Sequence, residues 1–498
     1  MNTKSLTLSS RALPSLALPS LLLVSTLALT SCADGSNSAD PESMEGAAAE
    51  SSAAPEAAST EDAESAVEPS DRETHEAGGP SPRVAVTYDG GVAVLDGATL
   101  EVLSEDEAEG FVRVNPAGDG RHFFLTEGES FRLLDGGTWA EPHGDHDHFY
   151  TTDPLLSDVT VGGPAPGHVV SHDGIGTLFF DGNGEIHSYD LAELSDLDLG
   201  AESELETEVA ATEEAHHGVA AVFPDGGRFE TLGNEDARTG ARVLDADGEE
   251  LARNEDCPGV HGEAAGPEGM IAVGCEDGVL IWDGEEFSKI DAGEDFARTG
   301  NLFPAEDSRV FLGDYSLVAD GEEPMTEVAL VDAASEEIST VEIGAAYNFR
   351  SLARGPEGEA LVLAEDGVLH VIDPDTGEHT DELEIMDEWT EPEEWQEARP
   401  AIRVLDDIAY ITEPDAQSVH MVDLTTMEII NSAEFEFTPN EIAAVDGRAV
   451  EGAEESGHDH AESDSDHAEE GHEDAEEGHD HAEEGAEHSA DEHEDHDH

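Results

Sequence analysis

The fifteen residues from Gly266 to Leu280 (Gly-Pro-Glu-Gly-Met-Ile-Ala-Val-Gly-Cys-Glu-Asp-Gly-Val-Leu) return 89 positions later, from Gly355 to Leu369, as Gly-Pro-Glu-Gly-Glu-Ala-Leu-Val-Leu-Ala-Glu-Asp-Gly-Val-Leu. No other feature constrains the fold as much, because half of that displacement is close to the ~45 residues of one four-stranded propeller blade. Each copy reads as a turn, a short β-rich run, an Asp-Gly hairpin turn and a second apolar run, the local pattern of an antiparallel meander. Looser versions follow Asp119-Gly120, Asp173-Gly174 and Asp225-Gly226, and no long segment with helical periodicity interrupts them. A two-sheet sandwich competes, but it gives no reason for self-similarity at twice a blade's length. The expected fold class is all-β, a β-propeller over residues 83–450. At roughly 45 residues per blade that length makes about eight blades, or seven with long loops.

The flanks have a different composition. Lys4 and Arg11 precede a leucine-rich run from Leu13 to Leu29, too short and too close to the start for a spanning helix, so residues 1–32 read as an export signal. The run ends in Leu29-Thr30-Ser31-Cys32, a spacing that resembles a bacterial lipobox with Cys32 as the acylated residue. A plain secretory signal is the alternative, and both place the mature chain outside the cytoplasm. Residues 33–82 are dominated by Ala, Ser, Glu, Asp and Pro, with no aromatic residue and Arg72 as the only cation. Such a stretch buries too little apolar surface to offset the entropy of ordering, so a disordered acidic tether is expected. Residues 451–498 hold 22 acidic residues and 10 histidines, without Lys or Arg, and are expected to form a disordered metal-binding tail.

The whole chain sets 19 Lys+Arg against 121 Asp+Glu, a formal charge of −102. Nucleic acid is excluded as a partner for want of a basic face, and membrane contact is expected through the N-terminal lipid anchor only. Residues 83–450 keep 16 cations against 86 acids, and Lys4 and Lys289 are the only lysines in the chain. That surface suits salty surroundings, where counter-ions screen self-repulsion, and equally an acidic secreted protein. Cys257 and Cys275 are expected to pair as a disulfide on neighbouring strands, with a cysteine zinc site as the alternative.

Four histidine motifs carry the chemistry: Pro142-His143-Gly144-Asp145-His146-Asp147-His148, Gly167-His168-Val169-Val170-Ser171-His172-Asp173-Gly174, His216-His217-Gly218-Val219-Ala220 and Val260-His261-Gly262-Glu263-Ala264. The last three each place a histidine shortly before the turn expected to close an inner strand, in three consecutive blades. The first reads as a loop just upstream. Inner strands line the central channel of a propeller, so residues at one register of successive blades converge although they are about 45 positions apart. Zinc takes about four ligands in a tetrahedron, with imidazole and carboxylate among them. A single histidine in a strand is more often a packing residue; three at matching blade positions predict a metal site. His146 and His148 are alternate residues and would face one side of an extended strand, either completing the channel site or acting as a capture arm.

In the tail, His458-Asp459-His460, His479-Asp480-His481 and His496-Asp497-His498 recur between Ala-Glu-Glu-Gly filler. His458, His460, His479, His481, His496 and His498 are thus expected to give several weak, fast-exchanging zinc sites, because each binding event must order flexible chain. Tethered weak ligands raise the local metal concentration near a structured site.

The four motifs in this order resemble those of the AztD-type extracytoplasmic zinc metallochaperones. The resemblance rests on the His-Gly-Asp-His run from His143, the Gly-His-Val-Val-x-His-Asp-Gly run from Gly167, the His-His-Gly-Val-Ala run from His216, and Cys257 through Ala264. It implies an eight-bladed propeller that holds zinc and hands it to the solute-binding protein of a zinc ABC importer, with no enzymatic activity. Carried over residue by residue, it implies zinc ligands drawn from His146, His148, His168, His217 and His261, with His172 and His216 as replacements. Two alternatives remain open: a metal-dependent propeller hydrolase of the lactonase kind, for which Glu263 is the candidate general base, and a surface scaffold with a zinc-buffering tail.

Overall fold

Asp173 and Gly174 both take positive φ, 46° and 83°, and join two strands directly, with His172 opposite Ile175. That is the two-residue hairpin geometry whose twist matches the strands it joins, and for which Asp-Gly is suited. Repetition of such short turns makes the chain fold strand upon adjacent strand. In the computed structural model, residues 72–450 are described apart from 145, 198, 200–202, 295, 306–307 and 320–322. The export signal, Cys32, residues 33–71 and the whole tail lie outside the described residues.

Eight four-stranded antiparallel sheets occur among the described residues, together with one three-stranded sheet. The innermost strands of the eight are Arg113–Pro116, Pro166–His172, Ala220–Val222, His261–Ala265, Leu302–Ala305, Leu352–Arg354, Ile402–Leu405 and Ile442–Val445. Pro166–His172 meets Ala220–Val222, and from His261–Ala265 onward each innermost strand meets the next, with Ile442–Val445 returning to Arg113–Pro116. Ile442–Val445 also pairs with Arg83–Tyr88, so the end of the fold completes a sheet begun by its first residues. This pairing ties the two ends of the described chain together and leaves only short inner edges around the channel. The fold is a β-propeller.

The sequence repeat falls on the second and third strands of two sheets that have one sheet between them, Ile271–Gly274 with Gly278–Trp282 and Ala360–Leu363 with Val368–Ile372. Its 89-residue displacement therefore spans two sheets. Between the sheets lie apolar layers. The layer joining the second and third histidine-bearing sheets contains Val219, Phe229, Val243, Val260, Ile271, Val273 and Trp282. Cys257 and Cys275 are disulfide-bonded within it.

Two features differ from the sequence reading. The tether expected to run disordered to residue 82 already contains a strand, His75–Ala77, which pairs with His146–Thr151. Backbone hydrogen bonds to a neighbouring edge order a segment whose composition gives it no core of its own. The supposed loop at His143 is a β-hairpin, Thr138–His143 with His146–Thr151, inserted between the third and fourth strands of its sheet. Together the two differences make the three-stranded sheet.

Candidate metal centre

Three consecutive innermost strands bring His168, His217 and His261 together. His168 lies in Pro166–His172, His217 stands three residues before Ala220–Val222, and His261 opens His261–Ala265. One ligand atom from each lies within 4.8 Å of the other two. The ring centroids are 5.1 Å apart for His168 and His217, 5.0 Å for His217 and His261, and 6.1 Å for His168 and His261. The histidines sit at the start of the inner strands, the opposite end from the closing turn to which the sequence reading assigned them. The register of convergence is as expected; the end of the strand is not.

Two of the rings are aimed by what their outer nitrogens touch. His217 Nδ1 meets Asp181 Oδ2 at 2.6 Å, and His261 Nδ1 donates to the Gly300 carbonyl at 2.5 Å. With Nδ1 as the donor in both rings, Nε2 carries the lone pair, which is how metal-binding imidazoles are commonly oriented. The two Nε2 atoms face each other at 3.0 Å. Two nitrogens on one tetrahedral zinc, each at 2.0–2.1 Å, would be about 3.3 Å apart. The pair is nearly set for a shared ion. Gly262 makes the His261 contact possible: its φ is +67°, and a Cβ there would come within 2.5 Å of the same Gly300 carbonyl. Val219 and Val260, buried beside the two histidines, hold the backbone from behind.

The third ring is the deepest. His168 Nδ1 is buried without a hydrogen-bond partner among the described residues. Burial, aided by the neighbouring rings and Arg113, lowers the His168 pKa to about 3. Burial likewise lowers that of His261 to about 4, outweighing the Gly300 hydrogen bond. Both imidazoles are therefore neutral, the form that binds metal. Below them a channel cavity of about 260 Å³ is lined by His168, Glu263, Arg113, Arg350, Arg403 and Glu441, among others. Glu263 Oε1 is buried without a partner among the described residues, and burial raises the carboxyl pKa to about 7.

Over 381 residues the chain is 26% identical to a curated relative named "Zinc chaperone AztD" from Citrobacter koseri, covering 74% of this chain and 86% of the relative. The chain resembles the zinc chaperone AztD. Crystal structures of Citrobacter koseri AztD and of its apo form superpose with TM-scores of 0.64 and 0.63, at 23% and 22% identity. Each comparison covers 74% of this chain and 98% of the AztD chain, and shows a shared fold. No known protein-family profile matches the chain.

The remaining histidines of the sequence reading lie elsewhere. His216 uses both ring nitrogens, with the Glu214 carbonyl at 2.9 Å and Thr231 Oγ1 at 3.0 Å, and is buried; it is a packing residue, not a replacement ligand. His172 sits at the far end of its strand, 3.2 Å from Asp173 Oδ2, and is also outside the cluster. His146 and His148 join His143 in a second group whose ligand atoms lie within 4.8 Å of one another. Their hairpin leaves its sheet between Asp135 and Leu155, whereas Arg113, at the other end of that sheet, shares the channel cavity with His168. The hairpin thus does not complete the channel site. His143, which opens the His-x-x-His-x-His run, was not among the expected ligands but joins the hairpin's group; Asp181 and the Gly300 carbonyl carried no signal in the sequence.

Proposed function

We propose that this protein is an extracytoplasmic zinc metallochaperone that holds one zinc ion between His168, His217 and His261 and passes it to the solute-binding protein of a zinc ABC importer. The observation that carries the reading is the meeting of three imidazoles from three consecutive sheets, two of them aimed by Asp181 and Gly300. Three nitrogen ligands leave one position of a tetrahedron open, through which a recipient can supply a ligand before the donor lets go. Zinc would then never be bare in water. The Cys257–Cys275 disulfide suits an oxidising compartment. No helix among the described residues is long and apolar enough to cross a membrane. The lipobox-like run that ends at Cys32 supports lipid attachment there. The histidines of the tail, from His458 to His498, serve as a weak reservoir that raises zinc concentration near the channel.

The test is transfer. Zinc-loaded protein mixed with a purified zinc solute-binding protein should deliver its metal in the presence of a competing chelator that removes free zinc. Delivery abolished by the chelator would mean release into solution and would refute a handover. A hydrolytic reading draws on Glu263, whose buried carboxyl could serve as a base beside the metal. It predicts turnover of esters or lactones by the zinc-loaded protein, and absence of turnover removes it.

A further inference from the structure

One face of the three-stranded sheet gathers ligands from two separate parts of the chain. In the hairpin, Trp139 is opposite Tyr150, Glu141 opposite His148 and His143 opposite His146. Side chains alternate along a strand, so these six share a face. The ring contacts agree: His143, His146 and His148 have centroids 5.0 to 5.4 Å apart, and Trp139 stacks on Tyr150 at 5.5 Å. Glu76, in the N-terminal strand, is opposite Tyr150 and therefore on the same face, with Oε1 3.6 Å from His148 Nδ1. The other carboxylate on this face, Glu141, already accepts from Trp139 Nε1 at 3.5 Å.

We propose that Glu76 completes a second zinc site with His143, His146 and His148, so that zinc bound there clasps the N-terminal segment to the hairpin. Three imidazoles and one carboxylate make a full tetrahedral zinc shell. The inference rests on the reading of the protein as a zinc carrier but concerns a site at the other end of the strands from the channel. Without metal, the segment is held by three paired residues and by Arg72, whose Nη1 donates to Asp135 Oδ2 and to the Asp153 carbonyl, each at 2.8 Å. A three-residue strand is marginal alone. A ligand that binds only the docked form stabilises docking by mass action. Zinc supply would thereby set how firmly the tether is fixed to the propeller.

Amide hydrogen exchange of residues 75–77 in the full-length protein, at free zinc concentrations set by a chelator buffer, reads this site without interference from the tail or the channel. Zinc should slow exchange of the segment with a single midpoint. Glu76→Gln, a change at an exposed side chain, should move the midpoint to about 10-fold higher free zinc, and His148→Ala should remove the zinc dependence. His217→Ala should leave all of it unchanged while emptying the channel, which separates this inference from the channel reading. Exchange at 75–77 that ignores zinc, or a Glu76→Gln midpoint equal to that of the parent, would overturn the proposal.

Discussion

The Nε2 atoms of His217 and His261 stand 3.0 Å apart, although the other nitrogen of each ring is committed to Asp181 or to the Gly300 carbonyl. Rings tied in this way through Nδ1 turn their Nε2 lone pairs towards each other, an unfavourable arrangement that a cation between them makes favourable. The fold holds them there through strands that begin at the channel and through the buried Val219 and Val260. The site is preorganised by two inner strands, which carry His168 and His261, and by the short segment that leads His217 into the third.

His217→Ala and His261→Ala should each weaken tight zinc binding by at least ~100-fold, about 2.7 kcal/mol. The β-rich circular dichroism spectrum should be unchanged, since neither side chain belongs to the apolar layers. Chelator competition measures the first and far-ultraviolet spectra the second.

Asp181→Ala should weaken zinc binding by about 10- to 100-fold, the usual effect of removing a carboxylate that orients an imidazole ligand. The effect should vanish in a His217→Ala background, where no ring remains to be oriented. An undiminished loss in that background would mean that Asp181 acts on the fold instead.

The pH behaviour follows from burial. His168 and His261 titrate at about 3 and about 4 in the metal-free fold, below the ordinary imidazole value of about 6.5. Protons therefore compete poorly with zinc, and release from the channel should come well below pH 6, not through the ordinary histidine range that the sequence alone suggests. The linkage for the metal-free protein has a definite sign. Both groups are neutral when folded and protonate more readily when unfolded, so their stability contribution is whole above about pH 6.5 and is lost as pH falls towards 4 and 3. Thermal melts of the metal-free protein from pH 7 to pH 4 should fall progressively, and zinc should lessen the fall.

How much of this was legible in the sequence divides along physical lines. The Gly266 and Gly355 repeats revealed the propeller because short Asp-Gly turns and alternating apolar runs are local signals. The convergence of His168, His217 and His261 was also readable, since blade geometry converts a sequence period into a common axis. The strand end at which they sit was not, because it depends on where three-residue strands such as Ala220–Val222 begin. His216, a replacement ligand by its motif, spends both ring nitrogens on the Thr231 hydroxyl and the Glu214 carbonyl, neither of which the sequence signals. Partners distant in sequence, such as Asp181 for His217, leave no local trace.

The disulfide ties the segment before His261 to the end of strand Ile271–Gly274. Replacing Cys257 and Cys275 by Ser should cost roughly 3 kcal/mol, from the entropy of the short loop they close. Urea titration measures that loss. Zinc affinity should fall with it, because His261 is four residues from Cys257.

Deletion of residues 451–498 should lower the total zinc bound and slow loading, yet leave the tight site at full affinity. Equilibrium dialysis of the two forms separates the weak sites of the tail from the structured ones.

Anomalous diffraction at the zinc edge, from crystals of the tail-deleted protein loaded with one equivalent of zinc, addresses the channel site most directly. A single peak about 2.1 Å from nitrogens of His168, His217 and His261 is the predicted result. A crystal with those three rings metal-free and the zinc bound elsewhere would contradict it.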